Sequence, residues 1–330
     1  MSRAVRFSET GGPEVLKIVE VSTPEPGPGE VRIKVKAIGL NRAEVMYRSG
    51  AYLLEPHYPA QLGYEAAGEI DAVGPGVNGF GRGDKVSVIP AFSFAEYGLY
   101  GEVVLAPARA TVKHPESLSW EEAASTWMQY VTVWGGVIDI AKLGRGDMLL
   151  IPAASSSVGL AAIQVARRVG AQPVALTRTS SKAALLKEAG ASHVIATEEQ
   201  DLVEEVKKLT GGKGARVVFD PVGGATFEKL AKATAKGGIL LLYGALGAGQ
   251  PTTIPLLETL GNHLTIRGYE LFEVTSDDAK LEEVKRFVTS GLASGDFRPL
   301  IAKTFPFDSI VEAHRYLESN AQVGKVVVTV

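Results

Sequence analysis

The second half of the chain contains short, continuous apolar runs separated by segments of helical periodicity. The clearest runs lie at residues 148–151, 174–176, 217–219 and 239–242. Runs of this kind are typical of parallel strands that are covered on both faces. Between them, apolar residues recur every three or four positions, as at Val158, Ala162, Val165 and Val169. Strand alternating with helix at this spacing predicts a doubly wound parallel sheet with right-handed crossovers.

Further elements are predicted in the same half from their end signals. Ser180 is a candidate N-cap for a second helix, and Gly190 is its predicted stop. A third helix is predicted to end at Gly211. A sixth strand is predicted at residues 264–268, followed by an amphipathic helix over residues 277–290.

The first 120 residues show a different sequence pattern, typical of β structure. Residues 31–37 alternate between apolar and basic side chains and predict a half-buried strand, while frequent Pro and Gly mark the turns of an antiparallel or barrel-like sheet. A last strand over residues 325–330 has no strand–helix unit to join, so we assign it to this β domain. The prediction is therefore a discontinuous β domain of residues 1–121 and 272–330 around an α/β domain of residues 122–271.

Composition excludes several classes of function. Of 330 residues, 45% are hydrophobic and 22% are charged, a composition that fits a folded protein. The formal net charge of -3 gives no electrostatic reason to bind nucleic acid or an anionic membrane. No apolar run approaches the roughly 20 residues that span a bilayer, and the N-terminus lacks a signal core, so we expect a cytoplasmic protein. The absence of cysteine excludes disulfides, thiol nucleophiles and Cys-ligated zinc.

A turn of small residues joins the run at 148–151 to its helix. Residues 153–157 read Ala-Ala-Ser-Ser-Ser and lead to Gly159, where a dinucleotide fingerprint has several glycines. Small side chains let the backbone approach a pyrophosphate, and the serine hydroxyls could donate beside the free amides of the helix N-terminus. An ordinary serine-capped turn would use the same residues. Whether Ser156 and Ser157 touch the pyrophosphate or only permit its approach stays open at this stage.

The end of the next strand distinguishes two cofactor classes. Arg178 stands 19 residues after Gly159 (178 − 159), where an acidic residue would favour NAD(H). A guanidinium suits a 2'-phosphate instead, and Ser180 and Lys182 offer further donors. A solvated arginine at a loop tip is the alternative interpretation. Together with the serine turn, Arg178 predicts an NADP(H) site.

With these residues identified, the chain resembles the zinc-independent medium-chain dehydrogenase/reductases of the quinone oxidoreductase, or zeta-crystallin, type. The resemblance covers nearly the whole length. It rests on the phosphate turn and on segments at residues 37–41, 62–70, 73–77, 83–86, 132–134, 220–224 and 323–330. It implies an α/β fold in which a Rossmann doubly wound parallel sheet accompanies a discontinuous GroES-like β-barrel domain. It also implies a small-molecule substrate and a homodimer formed through Rossmann edge strands, here residues 264–268.

The resemblance, added to the turn and strand-end motifs above, gives the predicted site residues. The predicted catalytic residues are Asn41, Tyr52 and Tyr64, of which Tyr64 either faces the substrate or only fills the volume of a lost metal ligand. The predicted NADP(H)-binding residues are Asn41, Thr132, Ser156, Ser157, Val158, Gly159, Arg178, Ser180, Lys182, Tyr243, Gly244 and Asn320. The chain departs from the family pattern at Ser156 and Ser157, which are usually glycines, and at Thr197, which is often tyrosine.

No metal is predicted. Zinc enzymes of this superfamily use Cys at the position of Asn41 and His at the position of Tyr64, and the five histidines of this chain show no ligand spacing. A catalytic zinc needs three protein ligands and an open fourth position. Without a Lewis acid to stabilise an alkoxide, hydride delivery to an acceptor that delocalises its own charge is the expected reaction.

The sequence thus predicts an NADPH-dependent, metal-independent oxidoreductase that transfers hydride to quinones or to activated C=C bonds of α,β-unsaturated carbonyls. Hydrogen bonds from Asn41 or Tyr52 are expected to orient and stabilise the substrate oxygen. Two alternatives stay open. One is a metal-free NADP-dependent alcohol or carbonyl dehydrogenase, and the other is a non-catalytic NADPH-binding protein with a structural, sensing or RNA-binding role.

Overall fold

A computed structural model describes residues 1–330, which form two compact units. Unit 1 comprises residues 1–128 and 298–330, and unit 2 comprises residues 129–297. None of the helices combines the length and the apolar character needed to cross a lipid bilayer.

The chain forms fifteen strands and eleven α-helices. The strands are β1 (Ser2–Arg6), β2 (Lys17–Val21), β3 (Glu30–Gly39), β4 (Glu65–Val73), β5 (Lys85–Val88), β6 (Val103–Pro107), β7 (Thr111–Lys113), β8 (Met148–Ile151), β9 (Gln172–Thr177), β10 (His193–Ala196), β11 (Ala215–Asp220), β12 (Thr234–Leu242), β13 (Thr265–Gly268), β14 (Ile301–Pro306) and β15 (Lys325–Thr329). The helices are α1 (Arg42–Arg48), α2 (Trp120–Ala123), α3 (Trp127–Val133), α4 (Ser157–Arg168), α5 (Ala183–Glu188), α6 (Leu202–Thr210), α7 (Phe227–Lys232), α8 (Leu256–Gly261), α9 (Phe272–Thr275), α10 (Asp278–Ala293) and α11 (Ile310–Glu318). A π-helical segment, Trp134–Ile140, continues α3.

Unit 1 contains a mixed sheet in the order β14-β15-β3-β4-β5-β7, with β6 also paired to β3, and a separate β1–β2 pair. The alternation predicted for β3 is confirmed, since Val31, Ile33 and Val35 are buried while the basic residues between them are not. The terminal strand β15 pairs antiparallel with β3, so its predicted place in the N-terminal β domain is also confirmed.

Unit 2 contains a six-stranded parallel sheet in the order β10-β9-β8-β11-β12-β13. Counted within the unit, this is the order 3-2-1-4-5-6 of a Rossmann fold. Each predicted apolar run lies inside one of these strands. The predicted end of α6 is confirmed, because Gly211 adopts the left-handed conformation of a C-cap at φ 59°.

The boundaries between the units differ from the predicted ones, which fell after residues 121 and 271. Helix α10 belongs to unit 2, where Lys280 Nζ lies 2.7 Å from Asp139 Oδ2. Further along, the rings of Phe297 and Tyr130 stack with centroids 4.6 Å apart. Residues 122–128 stay with unit 1, in which Trp127 Nε1 donates to Ser87 Oγ at 2.8 Å.

The predicted N-cap role of Ser180 is wrong. Thr179 is the N-cap of a short 3-10 turn, Ser180–Lys182, that leads into α5, and this turn has no side-chain cap. The N–H and hydroxyl of Ser180 instead donate to the carboxylate of Glu199.

Candidate functional site

In unit 2, the turn after β8 is as tight as its small residues suggest. Ala153 has a φ of 49°, and Ser156 caps α4 by accepting a hydrogen bond from the N–H of Gly159 at 3.1 Å. A Cβ on Gly159 would lie 2.6 Å from the Cα of Ala154, so only glycine fits there. The first amides of α4 therefore stand at the carboxyl edge of the sheet, beside a backbone that a phosphate can approach.

Two cations follow the neighbouring strand β9. Arg178 is exposed at the strand end, and Lys182 Nζ lies 3.4 Å from Ser155 Oγ of the phosphate turn. Burial and the nearby charge of Arg178 both lower the pKa of Lys182. Two mutually repelling cations beside a helix N-terminus make a site suited to an anion.

The turns after β11 and β12 complete the same edge of the sheet. Asp220 is buried and accepts bonds from the N–H groups of Val222 and Gly223 at 2.8 and 3.1 Å, which fixes the turn. Burial raises the pKa of Asp220. A Cβ on Gly244 would lie 2.8 Å from the carbonyl oxygen of Pro221, so the two turns are in close contact.

Two of the predicted cofactor-binding residues in unit 2 are largely packed. The ring of Tyr243 stacks on Phe219 with centroids 3.9 Å apart, and its hydroxyl is buried. Thr132, on α3, is 7% exposed. Their roles toward a cofactor stay predictions.

In unit 1, a buried ionic network surrounds Asn41, which immediately precedes α1. Lys325 Nζ donates to Asn41 Oδ1 at 2.6 Å and to the carboxylate of Glu65, and both charged side chains are 1% exposed. The carboxylate of Glu44 accepts from the N–H of Asn41 and from the N–H of Tyr64. Burial raises the pKa of Glu44 to about 7, although Asn41, Lys325 and Tyr64 oppose the shift.

The amide group of Asn41 is fully engaged within this network. Because the ammonium of Lys325 can only donate, Oδ1 must face it, and Nδ2 then points to the carbonyl of Gly39 and to Glu44, both at 3.1 Å. Donation from Asn41 to a substrate oxygen, as expected from the sequence, would require one of these bonds to break. The network therefore favours Asn41 as a positioning residue.

Two of the predicted catalytic residues, Tyr52 and Tyr64, lie next to each other. Their hydroxyl oxygens are 3.4 Å apart. Tyr64 is 1% exposed and stacks on Phe94 at 3.8 Å between centroids, whereas Tyr52 is only half-buried at the border of this aromatic cluster. Of the three predicted catalytic side chains, Tyr52 is the most exposed as a residue.

Asn320 lies just beyond α11, in the left-handed region at φ 58°. Its Oδ1 accepts from Arg42, and its Nδ2 donates to the carbonyl of Glu318 at 3.2 Å. These bonds give Asn320 a structural part in unit 1, and its predicted contact with cofactor stays a prediction.

Sequence reasoning missed Glu44, Lys325 and Glu199. Glu44 had a readable signal, because Asn-x-x-Glu is the spacing of a capping box. Lys325 also had one, since a charged residue that opens a continuous apolar strand must be paired if that strand is buried. Glu199 had none, because only the folded loop brings it to Ser180.

Comparison with known proteins gives consistent matches along the chain. Residues 27–116 match the family profile described as alcohol dehydrogenase GroES-like domain, and residues 157–289 match the profile described as zinc-binding dehydrogenase. Quinone oxidoreductase 1 of Escherichia coli (strain K12) is 33% identical over 327 residues, which cover 98% of each chain.

Solved structures match over the full length as well. The crystal structure of Escherichia coli quinone oxidoreductase complexed with NADPH has a TM-score of 0.89 and 32% identity, covering 99% of this chain and 100% of the other. A crystal structure of an NAD-dependent alcohol dehydrogenase has a TM-score of 0.88 and 34% identity, covering 99% of each chain.

Proposed function

This chain belongs to the quinone oxidoreductase family of medium-chain dehydrogenase/reductases, and from that premise we propose that it is a metal-independent enzyme that uses NADPH to reduce quinones or the activated C=C bonds of α,β-unsaturated carbonyls. Unit 2 binds the cofactor, and unit 1 supplies the catalytic side chains. A cytoplasmic location and the absence of a nucleic-acid partner stay predictions.

The residues of unit 2 fit NADP(H), which is the cofactor. The tight turn capped by Ser156 gives the pyrophosphate close access to the amides at the start of α4. Arg178 and Lys182 supply the positive charge that a 2'-phosphate requires. The NADPH complex of the related Escherichia coli enzyme supports this assignment.

The residues of unit 1 do not fit a catalytic zinc, and this observation carries the proposed choice of substrate. Where zinc relatives have Cys and His, this chain has Asn41 and Tyr64. Asn41 Oδ1 and Glu65 Oε1 are both bonded to the ammonium of Lys325, and Glu65 Oε2 accepts from the N–H of Met128 at 3.0 Å. Without metal assistance, an acceptor that spreads the incoming charge onto its own oxygen, such as a quinone or an enone, is the suitable substrate.

Each side chain of the site has a part in this reaction. NADPH, when bound, supplies the hydride. The hydroxyl of Tyr52 donates a hydrogen bond to the substrate oxygen that becomes negative. A proton from this hydroxyl or from solvent then adds to the phenolate oxygen to give the hydroquinone, or a solvent proton adds to the α-carbon of the enolate to give the saturated carbonyl. The hydroxyl of Tyr64, 3.4 Å away, is placed to orient that of Tyr52. Asn41, held by Lys325 and Glu44, keeps the surrounding backbone in place.

We expect anaerobic assays to show NADPH oxidation with a benzoquinone or a cyclic enone, and Tyr52→Phe to lower kcat by about 10- to 100-fold, because one donor to the developing oxyanion is lost. The matched control is Tyr97→Phe, whose hydroxyl is already bound to Glu30 at 2.7 Å and which should change kcat by less than about threefold. Steady-state rates at saturating NADPH give both values.

Other outcomes of these assays separate the alternatives. An unchanged kcat in Tyr52→Phe would remove the proposed donor. Oxidation of simple alcohols with NADP+, without reduction of quinones or enones, would favour a metal-free alcohol dehydrogenase. Tight NADPH binding without turnover of any acceptor would favour a non-catalytic role.

We further propose that the protein is a homodimer through the edge of the unit 2 sheet. Strand β13 is the last strand of that sheet and leaves one side of its backbone unpaired. Helix α8, which precedes it, exposes Leu256, Leu257 and Leu260 by 68%, 82% and 66%. An open edge beside an exposed apolar patch is typical of a protein interface.

Light scattering after size exclusion is expected to give twice the chain mass for the wild type and the chain mass for Leu257→Glu/Leu260→Glu, because the two carboxylates would be desolvated in the interface. Leu53→Glu, at a leucine of unit 1 that is 85% exposed, is the control and should remain dimeric. A wild type that elutes as a monomer at assay concentrations would contradict the proposal.

A further inference from the structure

A carboxylate lies within the loop proposed to hold the 2'-phosphate. The N–H of Ser180 donates to Glu199 Oε1 at 2.9 Å, and the hydroxyl of Ser180 donates to the same oxygen at 3.3 Å. Ser180 follows Arg178 in the turn after β9, and Glu199 stands in the turn after the adjacent strand β10. Two of the donors nearest to Arg178 in sequence are therefore bound to a negative group of the protein itself.

The position of Glu199 is determined by the backbone around it. The N–H of Thr197 donates to the carbonyl of Thr177 at 2.8 Å, and the N–H of Glu198 donates to the carbonyl of Arg178 at 3.0 Å. The hydroxyl of Thr197 also donates to the carbonyl of Thr177, at 3.3 Å. These bonds join the two turns, so the carboxylate of Glu199 is held against the turn that carries Arg178.

This arrangement affects the two nicotinamide cofactors differently. A 2'-phosphate carries between one and two negative charges near neutral pH and needs donors, so it must displace Glu199 from Ser180 or bind beside a like charge. A ribose 2'-hydroxyl can donate a hydrogen bond, and NAD-binding sites place a carboxylate at the ribose for that reason. Glu199 thus disfavours binding of a 2'-phosphate, whereas Arg178 and Lys182 favour it.

We propose that Glu199 is a specificity-determining residue that weakens binding of the 2'-phosphate and so narrows the preference for NADPH over NADH. The inference rests on the proposed function, because it takes the loop of Arg178 to be the adenosine end of the cofactor site. It adds an acidic group from the turn after β10, which the fingerprint at the end of β9 does not include.

Calorimetric titration of Glu199→Gln with NADPH and with NADH tests the proposal. The substitution keeps the size of the side chain and an acceptor for Ser180 but removes the charge. We expect the Kd for NADPH to fall by about three- to tenfold and the Kd for NADH to change by less than about twofold. Added salt should reduce the difference in NADPH affinity between variant and wild type, because Glu199 and Arg178 are both exposed to solvent, where salt screens charges.

Glu198→Gln is the matched control. It removes the same charge from the neighbouring residue, whose side chain does not contact Ser180. An equal gain in NADPH affinity in both variants, or no gain in Glu199→Gln, would overturn the role of Glu199. Either result would leave the cofactor assignment intact as long as the wild type binds NADPH through Arg178. Equal loss of NADPH and NADH in Arg178→Ala would instead mean that the cofactor assignment itself had failed.

Discussion

Replacing Lys325 by methionine is expected to lower the free energy of unfolding by about 3–5 kcal/mol, which is the range for removing one partner of a buried ion pair. Lys325 and Glu65 are each 1% exposed, and Lys325 is the cation bonded to the carboxylate of Glu65. Without it, a buried carboxylate would lose its counter-charge, and Asn41 Oδ1 would lose its donor. Urea denaturation, followed by circular dichroism, gives the difference.

Two variants distinguish loss of a buried charge from general disruption of the fold. The double variant Glu65→Gln/Lys325→Met removes both charges and should lie within about 2 kcal/mol of the wild type. Lys34→Met removes the ion pair between Lys34 on β3 and Asp71, in which the lysine side chain is 53% exposed. It should lower the free energy of unfolding by no more than about 1 kcal/mol. A double variant as unstable as Lys325→Met would contradict the ionic explanation.

Replacing Arg178 by alanine is expected to raise the Kd for NADPH by about 10- to 100-fold and the Kd for NADH by less than about threefold. The reason is that charge-assisted hydrogen bonds to a phosphate contribute about 1.5–3 kcal/mol, whereas NADH has no phosphate at that position. Titration of the variant with both cofactors gives the two ratios.

Arg286→Ala is the control for this substitution, because it removes an exposed arginine of unit 2 from α10, outside the cofactor turns. It should change neither Kd by more than about twofold. Equal losses for NADPH and NADH in Arg178→Ala would contradict the assignment of the 2'-phosphate to this loop.

The Rossmann sheet was predictable because its information is local. Four of its six strands, β8, β9, β11 and β12, contain a short apolar run, and the helices between them have their own periodicity and end signals, such as Gly211 after α6. The boundary after residue 297 was not predictable, since it depends on contacts such as that of Lys280 with Asp139, which are 141 residues apart in sequence. No local pattern specifies which of two domains a surface helix will pack against.

For the candidate site as well, the sequence predicted which residues matter but not their distant contacts. Motif positions led to Asn41, Tyr52, Tyr64 and Arg178, but not to what their side chains contact. The donor to Asn41 is Lys325, 284 residues away, and it determines how the amide of Asn41 is oriented. The N-cap prediction for Ser180 failed because the 3-10 turn that leads into α5 begins at Ser180 itself, with Thr179 as its N-cap. The bonds that Ser180 donates to Glu199 reach the next turn along the sheet, and the local sequence does not specify them.

The most direct test of a metal-independent, NADPH-using reductase is to measure the zinc content and the enone or quinone reductase activity of the same purified sample. We expect no stoichiometric zinc, NADPH oxidation matched by formation of reduced acceptor, and no loss of rate after treatment with a chelator. Activity that disappears with the chelator and returns with zinc, or turnover confined to alcohols, would contradict this function.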